Sequence, residues 1–499
     1  MMYNRINYLL IGMALVIFTS SCSEDFIEPQ RDTDNLTSEN LAEAAENNPA
    51  LVKGTLDGIV GFMADDRTIT DDRDYDFGQK GVDIWLDITT GDMALSASSY
   101  GWYNSTANLV TQTDFSQEEN QIMWDYYYKI VALSNSVIST LGGEEAAPEN
   151  RDNQVILAQA RTHRAQAYFY LTQIWQSDYD PNEPILPLYT SDEVITEKVP
   201  ASQVFDLILD DLTFAAETLE GYTRGTKSQI DETVARGLLA YTHAAMGNYE
   251  DAKTEADKVI AAGYPLTTEG ESAYPGAGSG FNQLSSPSWI WGFNLTEGLG
   301  HQLIDWWGQI DYFTFSYAWA GDAKSMDESL FAQIPDNDVR KEQWGEGVAA
   351  LQPINKFFHE GRSPGGQNII TTDLVWMRVD EFYLLSAEAA AKTGDEAAAK
   401  ARLVELLTER LGSVTEANNY VNPLSGAELE EEIYFQTRIE LWGEGKTYLA
   451  MKRNDASVTR GSNHIFKPGQ SFQHNDDELS FKIPQTEIDN NPSINSQNN

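Results

Sequence analysis

The sequence predicts a mostly α-helical fold, with helix hairpins packed against an irregular, loop-rich half. Three observations carry that prediction. Long segments repeat apolar residues every three or four positions, two of them share a Gly-turn-Ala spacing, and one stretch lacks either helical or strand periodicity. In "QIMWDYYYKIVALSNSVI" (121–138), Ile122, Tyr126, Ile130, Leu133 and Val137 fall on one helical face. Residues 154–175 continue with Ala165, Tyr168, Leu171 and Trp175, and residues 203–219 place Val204, Ile208, Leu212 and Ala215 inward.

The shared spacing is finer. "AAMGNYEDAKTEADKVIAAGYP" puts Gly247 five residues before Ala252, with Val259 and Pro265 further on. "AAAKTGDEAAAKARLVELL" puts Gly394 five residues before Ala399, with Leu406 matching Val259. Glycine at a helix exit, a short turn and alanine at the next helix crossing is the logic of tetratricopeptide-like hairpins, although Ala-rich hairpins of other kinds share it. Residues 264–325 differ: "YPGAGSGFNQLSSPSWIWGFN" and "DWWGQIDYFTFSYAWAGD" are rich in Gly, Ser, Pro and aromatics. Long irregular segments inside a domain are uncommon and often functional.

The N-terminus reads as a processing signal. The apolar run Tyr8 to Phe18 is too short to span a bilayer as a helix, which takes roughly 20 residues. It follows Arg5 and ends in Thr19, Ser20 and Ser21, directly before Cys22, the only cysteine in the chain. A lone cysteine in an exported chain cannot form an internal disulfide. The arrangement resembles a bacterial lipoprotein signal in which Cys22 is lipidated, although Thr19 stands where such signals usually carry leucine; a plain secretory signal is the alternative. The following "SEDFIEP" resembles the acidic surface-export tag of Bacteroidetes lipoproteins. No second apolar run approaches membrane-spanning length.

Composition narrows the function. With 77 acidic against 33 basic residues the formal net charge is -44, so phosphate backbones are repelled and nucleic acid is not an expected partner. A hydrophobic content of 41% argues against disorder. The 55 aromatic residues (12 Trp, 23 Tyr, 20 Phe) exceed what a core strictly needs, so some are expected on a binding surface.

Enzyme motifs are not met. His163, His243, His301, His359, His464 and His474 are scattered, and none stands in H-E-x-x-H spacing. "GAGSG" (276–280) lacks the lysine of a phosphate loop and has its serine one place late for a nucleophile elbow. Carboxylate pairs suitable for glycoside hydrolysis are uninformative among 77 acidic residues. "DDRDYDFGQKGVD" (71–83) offers Asp72, Asp74, Asp76 and Asp83 at positions resembling a calcium loop, but its glycine comes one place late and its twelfth residue is Asp. A solvated loop is the simpler reading, and no cofactor is expected beyond that calcium option.

Seven segments, in order, resemble the SusD/RagB family of Bacteroidetes outer-membrane lipoproteins: "DFGQKGVDIWLDITTGDMA" (76–94), "WDYYYKIVALSN" (124–135), "RTHRAQAYFYL" (161–171), "DLILDDLTFAAETL" (206–219), "MRVDEFYLLSAEAAAKTGD" (377–395), "RIELWGEGKTYLAMKR" (438–453) and "IPQTEIDNNPSINSQN" (483–498). His163 departs from the family's usual apolar residue. The resemblance implies a SusD-like α/α superhelix with four tetratricopeptide-like hairpins. It also implies a non-enzymatic glycan-binding lipoprotein at the outer membrane, facing the exterior. Such proteins are lids on a SusC-like TonB-dependent transporter; a peptide-capturing lid of the same fold is the alternative. The implied organisation is a signal peptide (1–21), a lipidated tether (22–40), an N-terminal helical part (41–265) and a C-terminal part with the loop-rich ligand region (266–499).

Aromatics on loops are the candidate ligand contacts, because sugar rings stack on aromatic faces while their hydroxyls bond to nearby polar groups. "SYGWYNS" supplies Tyr100, Trp102, Tyr103 and Asn104; "DWWGQIDYFTFSYAW" supplies Trp306, Trp307, Tyr312, Tyr317 and Trp319. The expected ligand-binding set is Trp102, Tyr103, Asn104, Trp307, Tyr312 and Trp319. Trp124, Tyr126, Tyr127, Tyr128 and Trp442 are expected in the core. Arg161, Arg164 and Arg378 are expected to pair with carboxylates at helix seams, for instance Glu381 or Glu388.

Overall fold

A computed structural model describes residues 44–71 and 73–498. The predicted signal segment and tether, with Cys22, lie outside the described residues, as does Asp72. The helices of eight or more residues are α1 (Ala50–Met63), α2 (Gly78–Thr89), α3 (Glu118–Thr140), α4 (Arg151–Trp175), α5 (Ala201–Thr218), α6 (Glu232–Ala245), α7 (Tyr249–Ala261), α8 (Asp380–Lys392), α9 (Glu396–Arg410), α10 (Val414–Val421) and α11 (Ala427–Glu440). No described helix is long and apolar enough to cross a membrane.

Helices α3 to α9 form a continuous array in which each packs on the next; α8 also packs on α11, and α9 on α10. Because α7 packs on α8, the array continues although residues 262–379 intervene. The two hairpins with the shared spacing are α6/α7 and α8/α9. Gly247 (φ +75°) and Gly394 (φ +82°) take the left-handed conformation that ends a helix without a Cβ penalty. Ala252 and Ala399 are fully buried where the second helices cross, and Val259 and Leu406 are buried beyond them. A Cβ at Gly394 would meet nothing within 4 Å, so only the backbone opposes substitution. Gly394→Ala is expected to destabilise the fold by about 1–2 kcal/mol, the usual penalty for a left-handed L-residue, checked by urea unfolding.

Helix α4 is buried almost all round, far beyond the single stripe that its apolar residues suggest. Some of its buried polar side chains are satisfied individually, whereas Asn153 Oδ1, His163 Nδ1 and Gln166 Oε1 find no hydrogen-bond partner among the described residues. Gln159 donates to the Ile230 carbonyl at 2.6 Å, and the Arg164 guanidinium bonds both Asp211 (2.8 Å) and Glu144 (2.6 Å). His163 is buried beside Trp291, and burial pushes its imidazole down to about 3.

Among the described residues, eight short strands pair antiparallel in four two-stranded sheets. Strand β1 (Met93–Leu95) pairs with β5 (Lys324–Met326), β2 (Pro184–Tyr189) with β3 (Val194–Pro200), β4 (Trp289–Phe293) with β6 (Leu374–Arg378), and β7 (Val458–Thr459) with β8 (Ser471–Phe472). The segment predicted as wholly irregular therefore contributes β4 and β5, and their pairings tie it to the helical half.

A buried ionic network completes that junction. Glu440, at the end of α11, meets Arg340 (3.0 Å), Arg378 (2.9 Å) and Arg410 (2.8 Å), and Arg378 also meets Glu444 (2.8 Å) and Asp380 (3.0 Å). Lys356 reaches Glu444 at 3.1 Å. Burial alone would raise the Glu440 carboxyl, but Arg410, Arg378 and Arg340 overcome it and hold the group well below its ordinary range. Arg378 thus uses these partners where Glu381 or Glu388 was expected. Glu381 instead accepts the Arg378 backbone N–H (2.8 Å) and the Tyr241 hydroxyl, and Glu388 pairs with Arg453 (2.7 Å). Trp124, Tyr126, Tyr127 and Trp442 are buried as predicted, with Tyr128 packed at the core's edge.

Candidate functional site

The β1–β5 pairing carries the two aromatic loops to one place. Beyond β1 the chain runs against the segment before β5: the Ser96 N–H donates to the Ala323 carbonyl at 2.9 Å and the Ser99 N–H to Gly321 at 3.2 Å. One oxygen of Asp322 accepts the N–H groups of Ser99 (2.6 Å) and Tyr100 (2.8 Å), fixing the turn that follows. Gly101 (φ +94°) and Tyr103 (φ +66°) then take left-handed conformations. Tyr103 adopts it at a backbone cost that is typical of functional sites.

The turn splits its aromatics. Tyr100 is 59% exposed and lies edge-on to Tyr317 at 5.2 Å. Trp102 is half-buried, 5.8 Å from Tyr317 and 5.1 Å from Tyr75, edge-to-face with both. Tyr317 therefore joins the two predicted clusters into one aromatic group. Its hydroxyl donates to the Asp74 carboxylate, whose other oxygen lies 3.8 Å from Arg67. Burial and then Asp74 push the Tyr317 phenol upward, keeping it a donor. Asn104 accepts from the Ser98 hydroxyl at 2.7 Å beside this group. A second aromatic pair follows along the same segment, where Phe315 (46% exposed) tilts on half-buried Trp319 at 5.3 Å. Gly365 closes over Trp319, since a Cβ there would stand 2.7 Å from the indole. Half-buried Tyr312 lies at the same loop, its carbonyl accepting the Gly365 N–H at 3.2 Å.

Two of the six predicted ligand residues are in the core instead. Tyr103 is 1% exposed, with the Lys324 ammonium 4.6 Å from its ring centre. Trp307 is also 1% exposed and donates its indole N–H to the Asp373 carbonyl at 3.2 Å. The reason is local structure. Asp305 caps a short helix (Trp306–Ile310) that is buried throughout, and Trp306 packs on Phe357 at 4.8 Å. A buried ring offers no face to a ligand. Trp102, Asn104, Tyr312 and Trp319 retain partial exposure. Arg67, Asp74 and Phe315 join the site from positions not predicted for it; Arg67 carries no local signal, and Phe315 is one more aromatic in a run of them.

Of the residues proposed as a calcium loop, the three that the structure describes each have other partners. The Asp76 carboxylate accepts the backbone N–H groups of Ile69 (2.7 Å) and Thr70 (2.8 Å), Asp83 pairs with Lys80 (2.8 Å), and Asp74 is engaged by Tyr317.

Two open cavities of the described residues lie elsewhere. One of about 420 Å³ is lined by Gln173, Asp178, Tyr249, Lys452 and His474, and an adjoining one of about 520 Å³ by Asp178, Asp180 and Glu183. The first has two half-buried tyrosines, Tyr179 and Tyr249, in its lining, but neither has a cluster of rings like that around Tyr317, and stacking rings are what a sugar face recognises.

A family model described as "SusD family" matches residues 349–499, and one described as "Starch-binding associating with outer membrane" matches residues 75–240. The chain belongs to the SusD/RagB family. A SusD-like protein of Bacteroides ovatus is 26% identical over 197 residues, 38% of this chain; the match spans about a third (33%) of that curated relative. Solved structures of SusD-like proteins share the fold over most of the chain. A SusD-like carbohydrate binding protein from Bacteroides vulgatus superposes with TM-score 0.75 at 24% identity, covering 89% of this chain and 97% of its own. A SusD superfamily protein from Bacteroides thetaiotaomicron gives 0.71 at 21% identity, covering 90% and 99%.

Proposed function

We propose that this SusD/RagB protein captures carbohydrate at the cell surface without transforming it, and passes it to a SusC-like TonB-dependent transporter in the outer membrane. The observation that carries the reading is the meeting of two distant loops at Tyr317. There Tyr100 and Trp102 supply ring surface, while Asp74, Arg67 and Asn104 supply acceptors and donors for sugar hydroxyls. The family descriptions and the carbohydrate-binding relative support the ligand class. The peptide-capturing alternative rests on the fold alone. Affinity electrophoresis against a panel of polysaccharides tests the reading: retardation by at least one is expected, and unretarded migration throughout would contradict it.

Lipid attachment at Cys22 would hold the protein at the membrane. Cys22→Ala is expected to abolish incorporation of labelled fatty acid and to release the protein from the membrane fraction; equal labelling of variant and wild type would exclude the anchor. Gentle detergent extraction is expected to co-purify a large β-barrel transporter.

A further inference from the structure

Beside the aromatic group, residues 65 and 66 approach a buried histidine. One ligand atom each from Asp65, Asp66 and His301 lies within 4.8 Å of the others. Acidic residues alone would carry nothing in a chain this acidic, but the imidazole is built in. The His301 side chain is 5% exposed, and its carbonyl accepts the Ile370 N–H at 2.8 Å. Its Nδ1 bonds Asp305 at 2.8 Å, while the other Asp305 oxygen caps the next helix through the Trp307 N–H at 3.0 Å. A carboxylate fixed in this way holds the proton on Nδ1 and leaves Nε2 with a free lone pair. No residue in the described structure hydrogen-bonds to that nitrogen, and one carboxylate oxygen from each of Asp65 and Asp66 lies within 4.8 Å of a His301 ring nitrogen. An oriented imidazole backed by a carboxylate, with two further carboxylates in reach, is the donor set of a divalent transition metal; calcium and magnesium prefer oxygen alone.

We propose that His301, Asp65 and Asp66 form a binding site for a divalent transition-metal ion, Zn²⁺ being the best match, with Asp305 as the positioning residue. The ion would peg the segment leading to Arg67, which lies 3.8 Å from Asp74 in the aromatic group. The remaining coordination positions would be open to water.

The test is calorimetry with Zn²⁺ on the full chain carrying Cys22→Ala, which removes the only thiol. Excess Mg²⁺ suppresses weak binding to surface carboxylates. One equivalent of tight binding is expected, with visible d–d absorption when Co²⁺ replaces Zn²⁺. His301→Ala should lose both signals. Asp305→Asn, which keeps an oxygen for the Trp307 cap, should weaken binding by about 10–100-fold. Circular dichroism confirms that each variant folds. Three results would overturn the proposal: no stoichiometric Zn²⁺ binding by the parent chain; the same affinity in folded His301→Ala; or loss of binding only in His474→Ala, which would place the ion on the other histidine cluster, Asp178, Asp455 and His474.

Discussion

Glu440→Gln is expected to destabilise the fold by about 3 kcal/mol, because breaking a buried ion pair by removing one partner costs about 3–5 kcal/mol. The low end applies because no arginine is left without a carboxylate. Arg340 keeps Asp338 (2.6 Å), Arg410 keeps Asp380 (2.6 Å), and Arg378 keeps Glu444 (2.8 Å). The glutamine has the glutamate's shape, so the loss reports charge more than packing. Its pH dependence follows from the sign of the shift. The folded-state Glu440 carboxyl sits well below the ordinary value of 4.5, so its contribution is fully present above that pH and is lost progressively as pH falls below it. Glu444, also lowered, acts in the same direction. Asp87 and Asp311, pushed up to about 7 chiefly by burial, act oppositely: their effect favours the folded state at low pH and fades as pH rises from 3.8 through 7. Urea unfolding of wild type and Glu440→Gln at pH 7 and pH 4 measures this. The gap between the two proteins should be widest at pH 7 and narrow at pH 4.

The helical half was largely legible in the sequence because helix packing repeats locally. Ile122, Tyr126, Ile130 and Val137 are buried on the face that their spacing predicts, and Gly247 and Gly394 turn where the hairpin logic puts them. What was not legible depends on distant partners. Arg164 and Gln159 make α4 look two-sided, and only Asp211, Glu144 and the Ile230 carbonyl make their burial possible. The aromatic loops show the same limit more sharply. Trp306 and Trp319 stand in one run of similar composition, yet a cap at Asp305 sends the first inward and Gly365 leaves the second half-exposed. Tyr103 and Trp102 are neighbours divided by a left-handed turn. Spacing reveals that a loop is rich in rings, whereas which ring faces solvent is set by the β1–β5 pairing across more than two hundred residues.

Removing the exposed rings should have the largest functional effect. An aromatic contact contributes about 0.5–1.5 kcal/mol beyond area burial, and about 1.4 kcal/mol is tenfold in affinity. Each of Trp102→Ala and Trp319→Ala should therefore weaken carbohydrate binding by several-fold to about tenfold. The pair should weaken it by up to about a hundredfold if both rings hold the same chain, since separated contacts add. Stability should change less than in Glu440→Gln, because both rings are only half-buried. The most direct measurement is calorimetry of the Trp102→Ala/Trp319→Ala variant with a polysaccharide that the wild type binds, alongside circular dichroism. A folded variant with near-complete loss of binding is the predicted result, and a folded variant with wild-type affinity would contradict a carbohydrate site built around Tyr317.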